Sequence, residues 1–299
     1  MAIIENTFAE AFDGLFLRLI LTAKDPIRLK QAAYDSTALP SVVINRTEGG
    51  IEKWLTPKET PDQRLGALIQ FWGQYRPQHA QKSVDTFYEE VSYRIRQGIL
   101  VVPTTALYDA NNANDGDALD AMIRIGHCGD GYEWEETLHG RHIIRVPLMM
   151  GTFVIERYLR YNRGVMGGNL WLLCRDEEAA LAAGDAAISA IQEVEGVITP
   201  FNICAAGSKP ETRFPHIGPT TNHPYCPSLR HRIPDSQLPP DVSAIPEIVI
   251  NGVSLSAVKR GMLVAIQAVQ NISGVEYISA GNYGGKLGQH QIYLHELIA

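Results

Sequence analysis

A chain of 299 residues, 45% hydrophobic and 20% charged, holds enough apolar material for two ordinary domain cores. Its 26 Lys and Arg against 33 Asp and Glu leave a net charge of −7, so the basic stripe of a nucleic-acid binder is absent and no nucleic-acid partner is expected. The longest apolar stretches, residues 15–23 and 99–107, are too short to cross a bilayer, and MAIIENTFAEAF carries acids where a secretory leader needs Lys or Arg, so neither a membrane nor export is expected.

Residues 15–23 read as a strand, 26–34 as a helix and 41–44 as a second strand. The order repeats with a strand at 67–73 (ALIQFWG), a helix over 78–97 and a strand at 99–102. Residues 109–120 (DANNANDGDALD) form a polar, acidic loop, and the chain reaches a junction near 147–151. Beyond it, residues 169–174 (NLWLLC) and 247–250 (EIVI) are apolar strand candidates, each followed by an amphipathic helix.

Those helices carry an internal repeat. Residues 187–197 (AISAIQEVEGV) and 265–275 (AIQAVQNISGV) lie 78 positions apart and agree at six of eleven sites. Each copy stops at a glycine, Gly196 or Gly274, suited to a left-handed helix end. A short strand-like run follows each, ITPF or EYIS. Two β-α-β units per half predict an α+β protein of two ferredoxin-like lobes, each a β-α-β-β-α-β unit with helices on one face of an antiparallel sheet. The lobes are expected at 1–148 and 149–299.

Two further segments are not simple connections. Residues 202–240 contain eight prolines and little periodicity, the pattern of a functional lid or an interface segment. Residues 281–289 (GNYGGKLGQ) contain four glycines in nine positions.

Most familiar catalytic templates fail. Lys286 is followed by Leu287 rather than Ser or Thr, so the glycine-rich run is not a phosphate loop. GVMGG at 164–168 lacks dinucleotide spacing and precedes a strand. Ala113 stands where a calcium loop needs an oxygen ligand. The nine histidines form no H-E-x-x-H, and there is no G-x-S-x-G elbow. Cys128, Cys174, Cys204 and Cys226 form no C-x-x-C pair, and a chain of this length needs no disulfide scaffold. Neither a metal nor a prosthetic group is expected, and a reduced, cytoplasmic setting is.

Carboxylates remain. Glu247 precedes Ile248, Val249 and Ile250 and follows Ile245-Pro246, so its neighbours are all apolar. Two readings stay open: a strand-end residue facing water, or an acid set in an apolar wall. In the second, desolvation would raise its pKa and keep it protonated, able to donate a hydrogen bond at neutral pH.

Seven stretches together resemble one family. They are NTFAEAF (6–12), ETPDQR (59–64), GDGY (129–132), GVMGGN (164–169), TNHPYCP (221–227), EIVINGV (247–253) and ISAGNYGGKLGQHQIYL (278–294). In this order, over nearly the whole chain, they resemble the formylmethanofuran:tetrahydromethanopterin formyltransferases of methanogenic archaea and methylotrophic bacteria. Two departures are local. His127-Cys128 stands where aromatic residues are expected before GDGY, and 202–220 is shorter than in archaeal members.

The resemblance implies two ferredoxin-like lobes and a transfer between two substrates, a formylated furan coenzyme and tetrahydromethanopterin, without a prosthetic group. It implies attack by N5 of the pterin on the formyl carbon, and for Glu247 the role of a buried, protonated acid hydrogen-bonded to the oxyanion. Gly281, Gly284, Gly285 and Gly288 would let backbone approach a flat ligand, with Asn282, Tyr283, Lys286 and Gln289 as donors; a tight turn between strands is the competing reading. Asn222, Tyr225 and Cys226 are candidate cleft residues. The expected partners are the two small-molecule coenzymes and further copies of the chain, as a dimer or a dimer of dimers, within a formyltransferase/hydrolase hetero-complex in bacteria. The rivals are a non-catalytic scaffold subunit of such a complex, and an enzyme of the same chemistry using folate carriers.

Overall fold

The computed structural model describes residues 1–38, 46–111 and 116–299. The chain forms two compact units, Met1–Asp13 with Val165–Ala299, and Gly14–Gly164. This grouping differs from the 1–148 and 149–299 division expected from sequence. Strand Ile3–Ile4 pairs with Val275–Ser279, and residues 8–11 pair with His290–Tyr293, so the first thirteen residues belong to the C-terminal unit. Residues 149–164 stay with the other unit, because Gly151–Glu156 pairs with Arg141–Leu148 and residues 158–161 pair with Asp117–Asp120.

In the Gly14–Gly164 unit, residues 14–22 of strand Phe8–Thr22 lead into helix Pro26–Thr37, then Thr47–Leu55, Gly66–Gln74, helix Ala80–Arg94 and Ala106–Asp109. In order along the chain these four strands stand 4-1-3-2 across the sheet, with every neighbouring pair antiparallel. That is the ferredoxin-like order. Strand alternation sets the faces. Leu15, Leu17, Leu19 and Leu21 are buried in one cluster with Leu29, Ala33, Phe87 and Val91 from the two helices. The intervening Phe16 stacks on Trp72 at 4.9 Å, and Arg18 grips Glu52 at 2.6 and 2.8 Å. Fully burying one such leucine is worth about 1.5–3 kcal/mol, which makes the odd-numbered set the dominant register signal.

Three local expectations change here. The strand placed at 41–44 lies outside the described residues, and the strand that pairs in the sheet is Thr47–Leu55. Residues 99–102 are not a strand: the second helix continues as a π-turn over Ile95–Leu100. Ile95 and Ile99 turn into the core, and Gly98 packs so closely on Ser36 that an added Cβ would lie 2.6 Å from its Cα. A four-residue apolar run cannot distinguish strand from buried helix by period alone. The stretch 109–120 is not loop throughout either. Ala106–Asp109 ends in it, and Asp117–Asp120 pairs with residues 158–161 as a strand; residues 112–115 lie outside the described set.

The second unit repeats the plan. Residues 165–174 of strand Tyr158–Cys174, helix Glu177–Ile191, Val197–Ile198, Glu247–Gly252, helix Leu255–Val269 and Val275–Ser279 follow in sequence. Their strands again stand 4-1-3-2 and antiparallel. The repeated segments occupy equivalent places, as read from sequence: each helix ends short of a left-handed glycine, Gly196 at φ 77° or Gly274 at φ 89°, and a strand begins at the next residue. Asp176 and Ser254 cap the two helices through Ala179 N (2.8 Å) and Ala257 N (3.1 Å). Among the described residues, no helix is long and apolar enough to cross a membrane.

Candidate active site

Strand alternation decides what Glu247 faces. Ile248 and Ile250 lie in the cluster beneath the two helices, together with Leu170, Leu172 and Cys174 of the neighbouring strand. Glu247 is therefore on the opposite face, where its cross-strand partner is Trp171. That face is covered by the proline-rich segment: Leu238 and Val242 pack on Trp171 and Leu173, with Tyr225 and Ile245 at the margin. The segment is built from single 3-10 turns, Pro215–Ile217, His223–Tyr225 and Pro227–Leu229, which explains its lack of period.

Between this cover and the sheet lies a cavity of about 480 Å³. Trp171, Ile203, Asn222, Tyr225, Cys226 and Glu247 are among its walls. Three of the expected cleft residues, Asn222, Tyr225 and Cys226, thus meet Glu247 in one place. The Tyr225 ring stands edge-on to Trp171 at 4.9 Å and 66°. The Cys226 thiol donates to the Asn222 carbonyl at 3.5 Å.

The Glu247 carboxyl is half-buried, and it has two side-chain partners. The Trp171 indole N–H donates to Oε1 at 3.1 Å, and Cys204 lies directly across a backbone bridge from Glu247, its thiol beside the carboxyl. Cys204 is held in place by a pair of backbone bonds with Glu247, at 2.8 and 2.9 Å. Burial pushes the Glu247 carboxyl above the ordinary range, and the two donors offset only part of that. Burial, then the neighbouring Glu247, pushes the Cys204 thiol up as well. Glu247 thus lies in the wall of this cavity, beside Trp171 and Tyr225, with part of its surface still open.

The glycine-rich run is positioned from below by an acid that sequence reading passed over. Glu10 is only 2% exposed, yet its carboxylate accepts from four backbone N–H groups of the loop. Oε1 takes Tyr283 N (2.7 Å) and Gly285 N (2.6 Å), and Oε2 takes Leu287 N (2.9 Å) and Gly288 N (2.7 Å). Burial acts to raise the Glu10 pKa, but these four donors outweigh it and hold the carboxyl below its usual value. The backbone donors of the loop are thereby committed to the chain itself. Asn282 donates to Thr7 Oγ1 and the Phe8 carbonyl, and Gln289 accepts from Asp13 N, so both side chains serve the turn. Gly284 and Lys286 are exposed.

Two members of the loop do bear on the Glu247 neighbourhood. Gly281 is fastened by Asn169, which accepts its N–H at 2.6 Å, and a Cβ at 281 would come 2.8 Å from the Trp171 ring. Tyr283 donates to the Ser208 carbonyl at 2.8 Å, and its hydroxyl is pushed up to about 12 by burial and by the charge of Glu247. Among the described residues, no group of three or more His, Cys, Asp and Glu side chains is placed to hold a metal ion.

Comparison with known proteins divides the chain near residue 150, as the sequence reading did. A family model described as formylmethanofuran-tetrahydromethanopterin formyltransferase matches residues 1–148, and a second, described as the proximal lobe of the same protein, matches 151–297. The chain belongs to this family. A formyltransferase-like protein of Archaeoglobus fulgidus is 54% identical over 99% of this chain and 96% of its own length. The Methanocaldococcus jannaschii protein named as the formyltransferase is 40% identical over 98% and 97%. Among solved structures, the formyltransferase of Methanosarcina barkeri superposes with a TM-score of 0.88, at 36% identity and 99% and 98% coverage. The formyltransferase/hydrolase complex of Methylorubrum extorquens, solved with methylofuran, gives 0.87 at 34% identity, covering 99% and 96%.

Hydrogen bonds join several of the motifs in this chain. Asn251 of EIVING accepts the Gly167 N–H of GVMGGN at 2.9 Å, across a register shift between Val165 and Gly168. Glu10 of NTFAEAF supports GNYGGKLGQ. In ETPDQR, Asp62 accepts from Thr22, Arg64 and Tyr108 within the other unit. The departure at 127–128 is local: His127 pairs with Glu133 at 2.7 Å, and Cys128 is exposed. Trp171 and Cys204 were not legible as site residues, because neither stands in a motif and both reach Glu247 only through sheet pairing.

Proposed function

We propose that the chain transfers a formyl group between a furan coenzyme and N5 of tetrahydromethanopterin in a ternary complex, with Glu247 as the catalytic acid. The observation that carries this reading is the Glu247 carboxyl in its cavity wall, raised in pKa by burial and held at Oε1 by Trp171. N5 of the pterin bonds to the formyl carbon, the carbon–nitrogen bond to the furan amine breaks, and the N5 proton passes to the departing amine. Between these events the formyl oxygen carries negative charge, and a neutral Glu247 can donate to it. Alignment of two bound substrates supplies much of the remaining acceleration, which needs neither metal nor prosthetic group. Asn222, Tyr225 and Cys226 would contact substrate in the cavity, with Tyr283 and Gly281 beside it. Gly284, Gly285, Lys286, Asn282, Gln289 and Gly288 would act as the framework of that edge. The purified chain, given both coenzymes, should form 5-formyl-tetrahydromethanopterin; no turnover with either carrier pterin or folate would exclude the reading.

A second reading is favoured by one observation. A solved structure similar to this chain is a formyltransferase/hydrolase complex. The chain would then act inside a hetero-complex, and an inactive isolated chain together with a complex whose formyl transfer survives Glu247→Ala would support the scaffold role. We place it in the cytoplasm, a setting in which Cys128, Cys174, Cys204 and Cys226 would stay reduced. We also expect self-association. Phe214 and Ile217 expose more than half of their surface within the proline-rich segment, and apolar groups there suit a protein interface. Light scattering should give at least a dimer mass, and Phe214→Asp with Ile217→Asp should lower it; a fully active monomer would reject the expectation.

A further inference from the structure

We infer that Trp171 and Cys204 are positioning residues for the acid, with Trp171 fixing Glu247 Oε1 as the unprotonated oxygen, so that the acid hydrogen sits on Oε2. This rests on the catalytic reading of Glu247. An indole N–H can only donate, so the oxygen it meets at 3.1 Å must present a lone pair. In a neutral carboxyl one oxygen carries hydrogen and the carbonyl oxygen is the better acceptor, so the Trp171 contact favours the hydrogen on the other. Trp171 is itself fixed: it is buried, its cross-strand partner is Glu247, Tyr225 stands on its ring, and the glycine at 281 admits it closely. Cys204 approaches from the covering segment and is registered to Glu247 by two backbone bonds, which keep its side chain next to the carboxyl.

The pairing also explains a tension in the site. Burial favours the neutral form of the carboxyl and raises its pKa. The Trp171 indole, with the neighbouring Cys204 thiol, favours the anion and offsets part of that rise. The other titratable groups around it are few. Tyr225 and Cys226 line the cavity from the covering segment, Glu177 from the helix after the strand of Trp171, and Tyr283 faces it from the glycine-rich loop. Burial raises both tyrosines, so they stay neutral while Glu247 titrates.

The test is a pH–rate profile of kcat for wild type, Trp171→Phe, Cys204→Ala and Cys204→Ser, beside Glu247→Gln. Losing a donor that favours the anion should move the alkaline limb to higher pH. Loss of orientation should lower the plateau roughly tenfold for Trp171→Phe and less for Cys204→Ala. Cys204→Ser keeps a donor and should hold the wild-type limb. An alkaline limb unmoved in both Trp171→Phe and Cys204→Ala overturns the inference. If Trp171→Phe does not fold, the Cys204→Ala and Cys204→Ser pair decides. Failure here leaves the catalytic reading intact as long as Glu247→Gln is impaired; a fully active Glu247→Gln with an unchanged profile removes the catalytic reading instead.

Discussion

Glu247→Ala should lower kcat by at least about 10²–10³, the usual cost of losing one oxyanion donor, and Glu247→Gln should retain more activity because an amide still donates. The sign of the pH effect follows from the raised carboxyl. The active form is protonated, so kcat/KM should be flat at low pH and fall as pH rises through a value above the reference of about 4.3. A general base would give the opposite: activity would rise over that window, and glutamine would be as damaging as alanine. Stability follows the same linkage. A group with a raised folded pKa contributes stability that is fully present below its unfolded pKa and lost as pH rises through the folded one. Glutamine cannot ionise, so Glu247→Gln should be at least as heat-stable as wild type at neutral and alkaline pH. Thermal unfolding beside the rate profiles checks both. A variant with low activity and a much lower Tm would indicate a structural role for Glu247 instead.

Glu10→Ala should lower stability markedly, since each buried donor left without an acceptor costs about 1–3 kcal/mol. Four backbone N–H groups of residues 283–288 would lose their acceptor together. Glu10→Gln should be nearly as damaging. Each carboxylate oxygen takes two of the N–H groups, and an amide offers one oxygen, so its NH₂ would face two donors with nothing to accept. Here the pKa is depressed, so the sign reverses. The stabilisation is present above the unfolded value of about 4.3 and is lost as pH falls through the folded one. Wild type should lose stability on acidification through that range, and Glu10→Gln should lose less because that component is already gone. Activity should fall with the loop, since Gly281 and Tyr283 sit beside the Trp171–Glu247 pair. Urea unfolding at neutral and acid pH gives the answer. Equal stability of Glu10→Gln and wild type at neutral pH would sink the idea.

What the amino-acid sequence determined by itself was local and periodic. The strand at 15–23 with the helix after it, the repeat at 187–197 and 265–275, and the helix stops at Gly196 and Gly274 follow from apolar spacing and glycine conformation, which a short window contains. The motif series placed the chain in its family, and Glu247 within it. Where periodicity was ambiguous, tertiary contact decided. Residues 95–100 turn as helix because Gly98 rests on Ser36, sixty-two positions earlier, a contact no window around them includes. The same holds for the site. Whether Glu247 met water or an apolar wall depended on Leu238 and Val242 covering its face of the sheet. Glu10, in a strand of alternating residues, became the anchor of a loop more than 270 positions away. Burial and hydrogen bonding between distant segments set the environment of an ionisable group, and that environment, not the residue type, determines whether a carboxyl is an acid, an anchor or a solvated charge.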